Sequence, residues 1–182
     1  IMVQIDEKCK VGTDAYSAGY SNICEIGKER IRRAAKKAAT ENSGASFDTG
    51  FRVLKLDSSN MKDAYYAPAE YEQGMLSGLE SNIKEDRTDL DLLFGCLLEW
   101  GLPLSMPYTS EEISGCTVHT YNDGDLIACF DENIPDEVVK TIAKRQPLRA
   151  VFRDSSFNGS PAKINVTEVF KLLAPDTRVK VI

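Results

Sequence analysis

Hydrophobic positions change their spacing several times along this chain, and each change marks an element. Residues 1–5 (IMVQI) are apolar at four of five positions with no turn residue, which predicts an opening strand. From Ser21 onward Ile23, Gly27, Ile31, Ala34 and Ala38 recur at helical spacing, predicting a helix capped by Ser21 and running to about Ala39. Its basic C-terminal part suits the helix dipole. Residues 40–49 (TENSGASFDT) are polar with one glycine and read as a linker. Residues 51–57 (FRVLKLD) predict a strand and 58–60 (SSN) a polar turn. A helix is expected near Pro68, because proline in a first turn gives up no needed hydrogen bond. Residues 89–100 (DLDLLFGCLLEW) are apolar nearly all round, as in a helix buried between layers.

The second half alternates more regularly. Residues 116–121 and 125–130 flank Asn122-Asp123-Gly124, a β-hairpin signal because Asp-Gly tolerates the positive φ of hairpin turns. Strand 125–130 leads to a helix at 135–144, strand 148–152 to a helix at 161–173, and strand 178–182 follows. The second of these helices carries Ser160 at its cap, Pro161 at its first position, a Val166, Val169, Phe170, Leu173 face and Pro175 beyond its end. Strand–helix–strand–helix–strand with connections this short makes parallel βαβ units. The fold class is therefore α/β: a mixed, largely parallel sheet with flanking helices, a Rossmann-like βαβαβ tail plus a β-hairpin.

At 182 residues, 42% hydrophobic and 27% charged, the chain can bury a core of its own. No apolar run reaches the roughly 20 residues that span a bilayer, so no membrane association is expected. Five cysteines, an odd number with no CxxC pair, read as reduced thiols and favour the cytoplasm. Charge is uneven. Residues 1–40 hold eight Lys and Arg against five acids, a balance of +3, so with −6 overall the remainder carries −9. A segment that acidic is a poor polyanion binder, because phosphate contacts need clustered cations. Any DNA-facing charge in this chain belongs to the basic helix at 28–37, whose other reading is a solvated face opposite an apolar seam.

Much of the familiar chemistry is excluded by its missing motifs. No two glycines stand two apart, so neither GxGxxG nor any GxG phosphate turn exists, and there is no GxxxxGK[ST] loop. His119 is the sole histidine and has no GxSxG elbow, which favours a strand histidine facing solvent or a neighbouring strand. Cysteines at 9, 24, 96, 116 and 129 are too dispersed for a zinc knuckle; Cys96 and Cys129 read as small buried hydrophobes. Acids after strands, at Asp6, Glu7, Asp57, Asp131 and Asp154, stand where α/β sheets bind ligands. Each of the last three is equally a cap for the turn that follows it.

Several of these runs together carry a resemblance. Residues 1–38, with IGKERIRRA, then KLDSSN, EDRT, DGDLIACFDENI and VFRDSSF…KIN, resemble the C-terminal part of the Mod subunits of type III restriction-modification systems, which methylate adenine in DNA. The likeness covers nearly the whole chain. It implies that residues 1–40 are the last strand and helix of a methyltransferase domain that uses S-adenosylmethionine, that 41–49 is a linker, and that 50–182 is a C-terminal α/β domain. It also implies a full-length enzyme that works on DNA with a second Mod subunit and a restriction (Res) subunit. The family's Asp-Pro-Pro-Tyr box and FxGxG turn are absent here, so the chain, which opens at Ile1, is expected to be a fragment without catalytic residues. One cofactor contact is implied: Gln4 stands where related enzymes hold the ribose of S-adenosylmethionine, with Asp6 or Glu7 as a substitute. No metal is expected, and an orphaned edge strand at 1–5 would favour homo-oligomers. A non-catalytic Rossmann-like interaction or regulatory module is the alternative, and a small enzyme using Asp57 or Asp131 a third.

Overall fold

The computed structural model describes residues 2–44, 46, 48–62, 82–157 and 159–182. The helix expected near Pro68 and the Gly74/Gly78 pair lie outside them. The chain divides into two compact units, Ile1–Lys55 and Leu56–Ile182.

In the first unit a short helix α1 (Asp14–Ser17) precedes α2 (Ile23–Glu41). Asn22, not Ser21, caps α2, its side chain accepting the Glu25 N–H at 2.9 Å. The helix runs past Ala39 to Thr40 and Glu41, so its basic residues stand one turn in from the end. The strand predicted over 1–5 does not form: residues 2–7 have no regular structure, and Met2, Val3 and Ile5 are 79%, 91% and 76% exposed. An apolar run becomes a strand only when a neighbour takes up its N–H and C=O groups. Here the Lys8–Asn22 bridge, a bond from Ile23 N–H to the Glu7 carbonyl and one from the Cys24 thiol to the Ile5 carbonyl tie the segment to the start of α2 without making a ladder. The strand predicted over 51–57 fails for the same reason, and Val53, Leu54 and Leu56 stay exposed.

The second unit is built on one five-stranded sheet of sequential order: β1 (Tyr108–Ile113), β2 (Cys116–Tyr121), β3 (Leu126–Cys129), β4 (Arg149–Phe152) and β5 (Arg178–Val181). The first three strands are antiparallel neighbours and the last three parallel, so the sheet is mixed, as expected. The expected hairpin forms, with Asn122, Asp123 and Gly124 all at positive φ. Strand β1 was not expected. It pairs with β2 through Ser114 and Gly115, whose φ of 49° and 82° suit a two-residue hairpin turn.

Helices α4 (Asp136–Lys144) and α5 (Gly159–Leu173) pack together on one face, over Cys116, Val118, Ile127, Cys129, Ala150 and Phe152. Helix α5 opens at Gly159, where φ is +82°, so Ser160 falls inside the first turn and not at the cap. Helix α3 (Asp89–Glu99) covers the opposite face, over Tyr121, Leu126, Ala128, Phe130 and Val151. Strict alternation sends successive residues of β3 to the two cores, and cover on both faces makes that strand continuously apolar. Among the described residues one side of α3 is covered: Leu92, Leu93, Cys96 and Leu97 are buried, while Leu90 and Leu98 are 38% and 64% exposed. The helix expected to be buried all round is amphipathic in place, because one layer lies against it.

Candidate functional site

Gln4 and Asp6 lie on the irregular segment before α2. The Gln4 amide donates to the Ile5 carbonyl at 3.4 Å, and Asp6 pairs with Lys8 at 3.6 Å, both in solvent. One exposed amide and one exposed carboxylate make no enclosing apolar wall, which a nucleoside-sized ligand needs. These residues alone do not fit S-adenosylmethionine. On α2, four of the six cations lean on the helix's own acids: Lys28 on Glu25 (2.6 Å), Arg32 and Arg33 on Glu29 (4.0 and 2.8 Å) and Lys37 on Glu41 (3.7 Å). The basic face is therefore partly self-neutralised.

The KLDSSN and EDRT runs, far apart in sequence, meet in one joint. Arg87, with only 9% of its side chain exposed, reaches Asp57 at 3.4 Å and donates to the Ser58 hydroxyl at 3.0 Å. Lys84 donates to the same hydroxyl at 2.9 Å. The Ser58 N–H and then the Arg87 charge hold the Asp57 carboxyl below its ordinary range. Asn60 donates to the Asp91 carbonyl on α3 at 2.8 Å. Gly95 makes room for this: a β-carbon there would stand 2.7 Å from the Asn60 amide nitrogen. Beside the joint is a depression of about 190 Å³ between Ser59, Asn60, Gly95 and Glu99. Cys96 lines it, and burial pushes its thiol up to about 11.

A second joint gathers DENI and VFRDSSF…KIN at the carboxyl ends of β3 and β4. Asp154, in a 3-10 turn (Asp154–Ser156), pairs with Lys163 of α5 at 2.6 Å. Asn165 donates to Asp136 of α4 at 3.1 Å, and the Ile134 N–H donates to the Ser156 carbonyl at 3.0 Å. Between them lies a crevice of about 170 Å³ bordered by Asn133, Asp136 and Ser156. Among the described residues the strand order runs β3, β4, β5 without reversal, so these strands make no switch point of the kind that opens a nucleotide crevice.

Of the acids singled out in the sequence, Asp57 accepts the N–H of Ser58 in the turn that follows it, whereas Asp131 reaches back across the sheet to accept the Thr117 N–H of the adjacent strand. His119 does not face solvent; it is 4% exposed on the α3 side of β2. Its Nδ1 meets the Ser110 hydroxyl of β1, directly opposite in register, at 2.8 Å, and its Nε2 stands 3.5 Å from Asp89 of α3. At that length the second contact is weak, and the line Ser110, His119, Asp89 ties an edge strand to a helix. Spacing in sequence hid one further grouping. The hairpin brings Cys116 and Cys129 together beside Asp131.

Comparison with known proteins supplies what the site geometry does not. Over 170 residues the chain is 26% identical to the Mod subunit of the type III restriction-modification enzyme EcoPI of Escherichia phage P1, covering 88% of this chain and 25% of that protein. Over 184 residues it is 28% identical to the EcoP15I Mod subunit of Escherichia coli, covering 96% of this chain and 26% of that protein. The chain thus spans about a quarter of the length of the curated relatives it matches. No family model matches it. Among the described residues no helix is long and apolar enough to cross a membrane.

Proposed function

We propose that this chain is the C-terminal part of a type III Mod subunit, a site-specific DNA adenine-N6 methyltransferase, and that residues 56–182 serve its structure and subunit assembly. One observation carries the reading: about nine-tenths of the chain matches about a quarter of two Mod subunits, in a sequence without Pro-Pro or a GxG turn. The whole enzyme would pass the methyl group of S-adenosylmethionine to an adenine extruded from the duplex. Within it, Gln4 would accept a ribose hydroxyl, with Asp6 as its substitute, once further chain supplies the missing wall. Assembly rather than chemistry suits the second unit, where Asp57, Arg87, Asp154 and Lys163 are engaged in joints between loops and helices. Its −9 balance from residue 41 onward is unfavourable for DNA but compatible with a second Mod copy or a Res subunit.

Exposed apolar side chains on α5 and next to β4 mark where such a partner would sit: Ile164, Leu172 and Leu148 are 62%, 81% and 58% exposed. In a Mod subunit carrying this chain, Ile164→Glu with Leu172→Glu is expected to weaken Mod–Mod or Mod–Res association in light scattering without changing the helical circular dichroism. Calorimetric titration of the 182-residue chain alone with S-adenosylmethionine is expected to show no binding, whereas a chain of the relatives' full length binds. Micromolar binding by the short chain would overturn the assignment of the cofactor site to further chain.

A further inference from the structure

We propose that Cys116, Cys129 and Asp131 form a binding site for a thiophilic divalent cation, with Zn2+ the ion whose ligand preferences they match. The two sulfurs and a carboxylate oxygen all lie within 4.8 Å of one another, and Cys129 Sγ is already 3.8 Å from Asp131 Oδ2. Ligands of a tetrahedral zinc, with bonds of about 2.0–2.3 Å, stand roughly 3.5–4 Å apart. Rotamer adjustments of less than about 1 Å therefore close the set.

The register of the hairpin makes the site. Val118 faces Cys129, so Cys116, two residues earlier, shares its face of the sheet and falls beside Asp131 at the strand end. Cys116 is 5% exposed and Cys129 fully buried, whereas Asp131 is half-buried, which leaves one side open to an entering ion. The Thr117 N–H holds the carboxylate, the kind of outer contact that orients a ligand. Small hydrophobes would fill the layer under α4 and α5 as well as two thiols do, and they would gain nothing from a carboxylate at their edge.

Without a cation the grouping favours protonated thiols. Burial, and then the Asp131 charge, raises Cys116, and burial pushes Cys129 up to about 12. A dication reverses that balance: both thiol protons leave to solvent and the carboxylate becomes a ligand instead of a repulsive neighbour. Two thiolates select against Mg2+ and Ca2+. Three protein ligands leave the fourth position of a tetrahedral ion to water.

The test is titration of the reduced, chelator-stripped chain with Co2+ and then Zn2+. The expected result is one equivalent of Co2+ giving a thiolate-to-cobalt charge-transfer band and tetrahedral visible bands, both abolished by Zn2+. Cys116→Ser and Cys129→Ser should each remove most of the charge-transfer intensity, and the Cys9→Ser/Cys24→Ser double variant should leave it intact. Asp131→Asn keeps the side-chain volume and an acceptor for Thr117, and so tests the site even where a cysteine variant fails to fold. It should weaken Co2+ by at least about tenfold, the low end of what loss of a ligand's supporting contacts costs. No charge-transfer band, a band that survives both Cys116→Ser and Cys129→Ser, or unchanged affinity in Asp131→Asn would overturn the proposal.

Discussion

Thr88 and Asp91 cap each other at the start of α3. The Thr88 hydroxyl accepts the Asp91 N–H, and the Asp91 carboxylate accepts the Thr88 N–H at 2.8 Å in return. Thr88→Ala should cost about 1 kcal/mol in urea unfolding. The Thr88 N–H, and then its hydroxyl, hold Asp91 below its ordinary value of 3.8. A carboxyl lowered in the folded state stabilises above that value, and its contribution is lost as pH falls further. The gap between wild type and Thr88→Ala should therefore narrow as pH drops below about 4. Gly95→Ala sets two effects against each other: alanine favours the helix by about 1 kcal/mol, but its β-carbon displaces the Asn60 amide. Global stability should change by less than about 1 kcal/mol. Hydrogen exchange should nevertheless speed up at Lys62 and Lys84, whose N–H groups bond to Asn82 and Asn60 across the same joint. The sequence marked Asp57 and Arg87 within separate motifs, but nothing local says that the two will meet, because their contact spans thirty residues.

At the level of elements, strength of period decided what could be read. Helices α4 and α5 and strands β3 to β5 are legible because apolar residues repeat where both faces of a sheet and one face of each helix are covered. Strand β1 (YTSEEI) was missed because it is an edge, half-buried only at Tyr108 and Ile113, and its partner rather than its composition makes it a strand. The reverse error fell on residues 51–57, apolar enough for a strand but without a ladder. Phe152 packs between Phe157 and Phe170, at ring separations of 5.5 and 6.0 Å, beneath α5. Phe152→Ala should lose about 3–5 kcal/mol in denaturant unfolding, more than any cap or turn, and should unfold β4 and α5 together. The cysteine pair was illegible for another reason: a spacing of thirteen positions says nothing of ligands until hairpin register is known.

For the whole molecule, the account rests on division of labour. Among the described residues the second unit carries two cores on one sheet, two joints between loops and helices, and shallow crevices. The first unit carries α1 and α2, with exposed apolar side chains at Met2, Val3, Ile5 and Val53 on the irregular segments that flank them. The most direct test removes residues 56–182 from a Mod subunit carrying this chain, then measures S-adenosylmethionine binding by calorimetry and Mod–Res stoichiometry by light scattering. The account predicts that cofactor binding survives, showing an intact catalytic domain, while assembly with the second Mod copy or with Res is lost. Full assembly by the truncated subunit, with cofactor still bound, would contradict it.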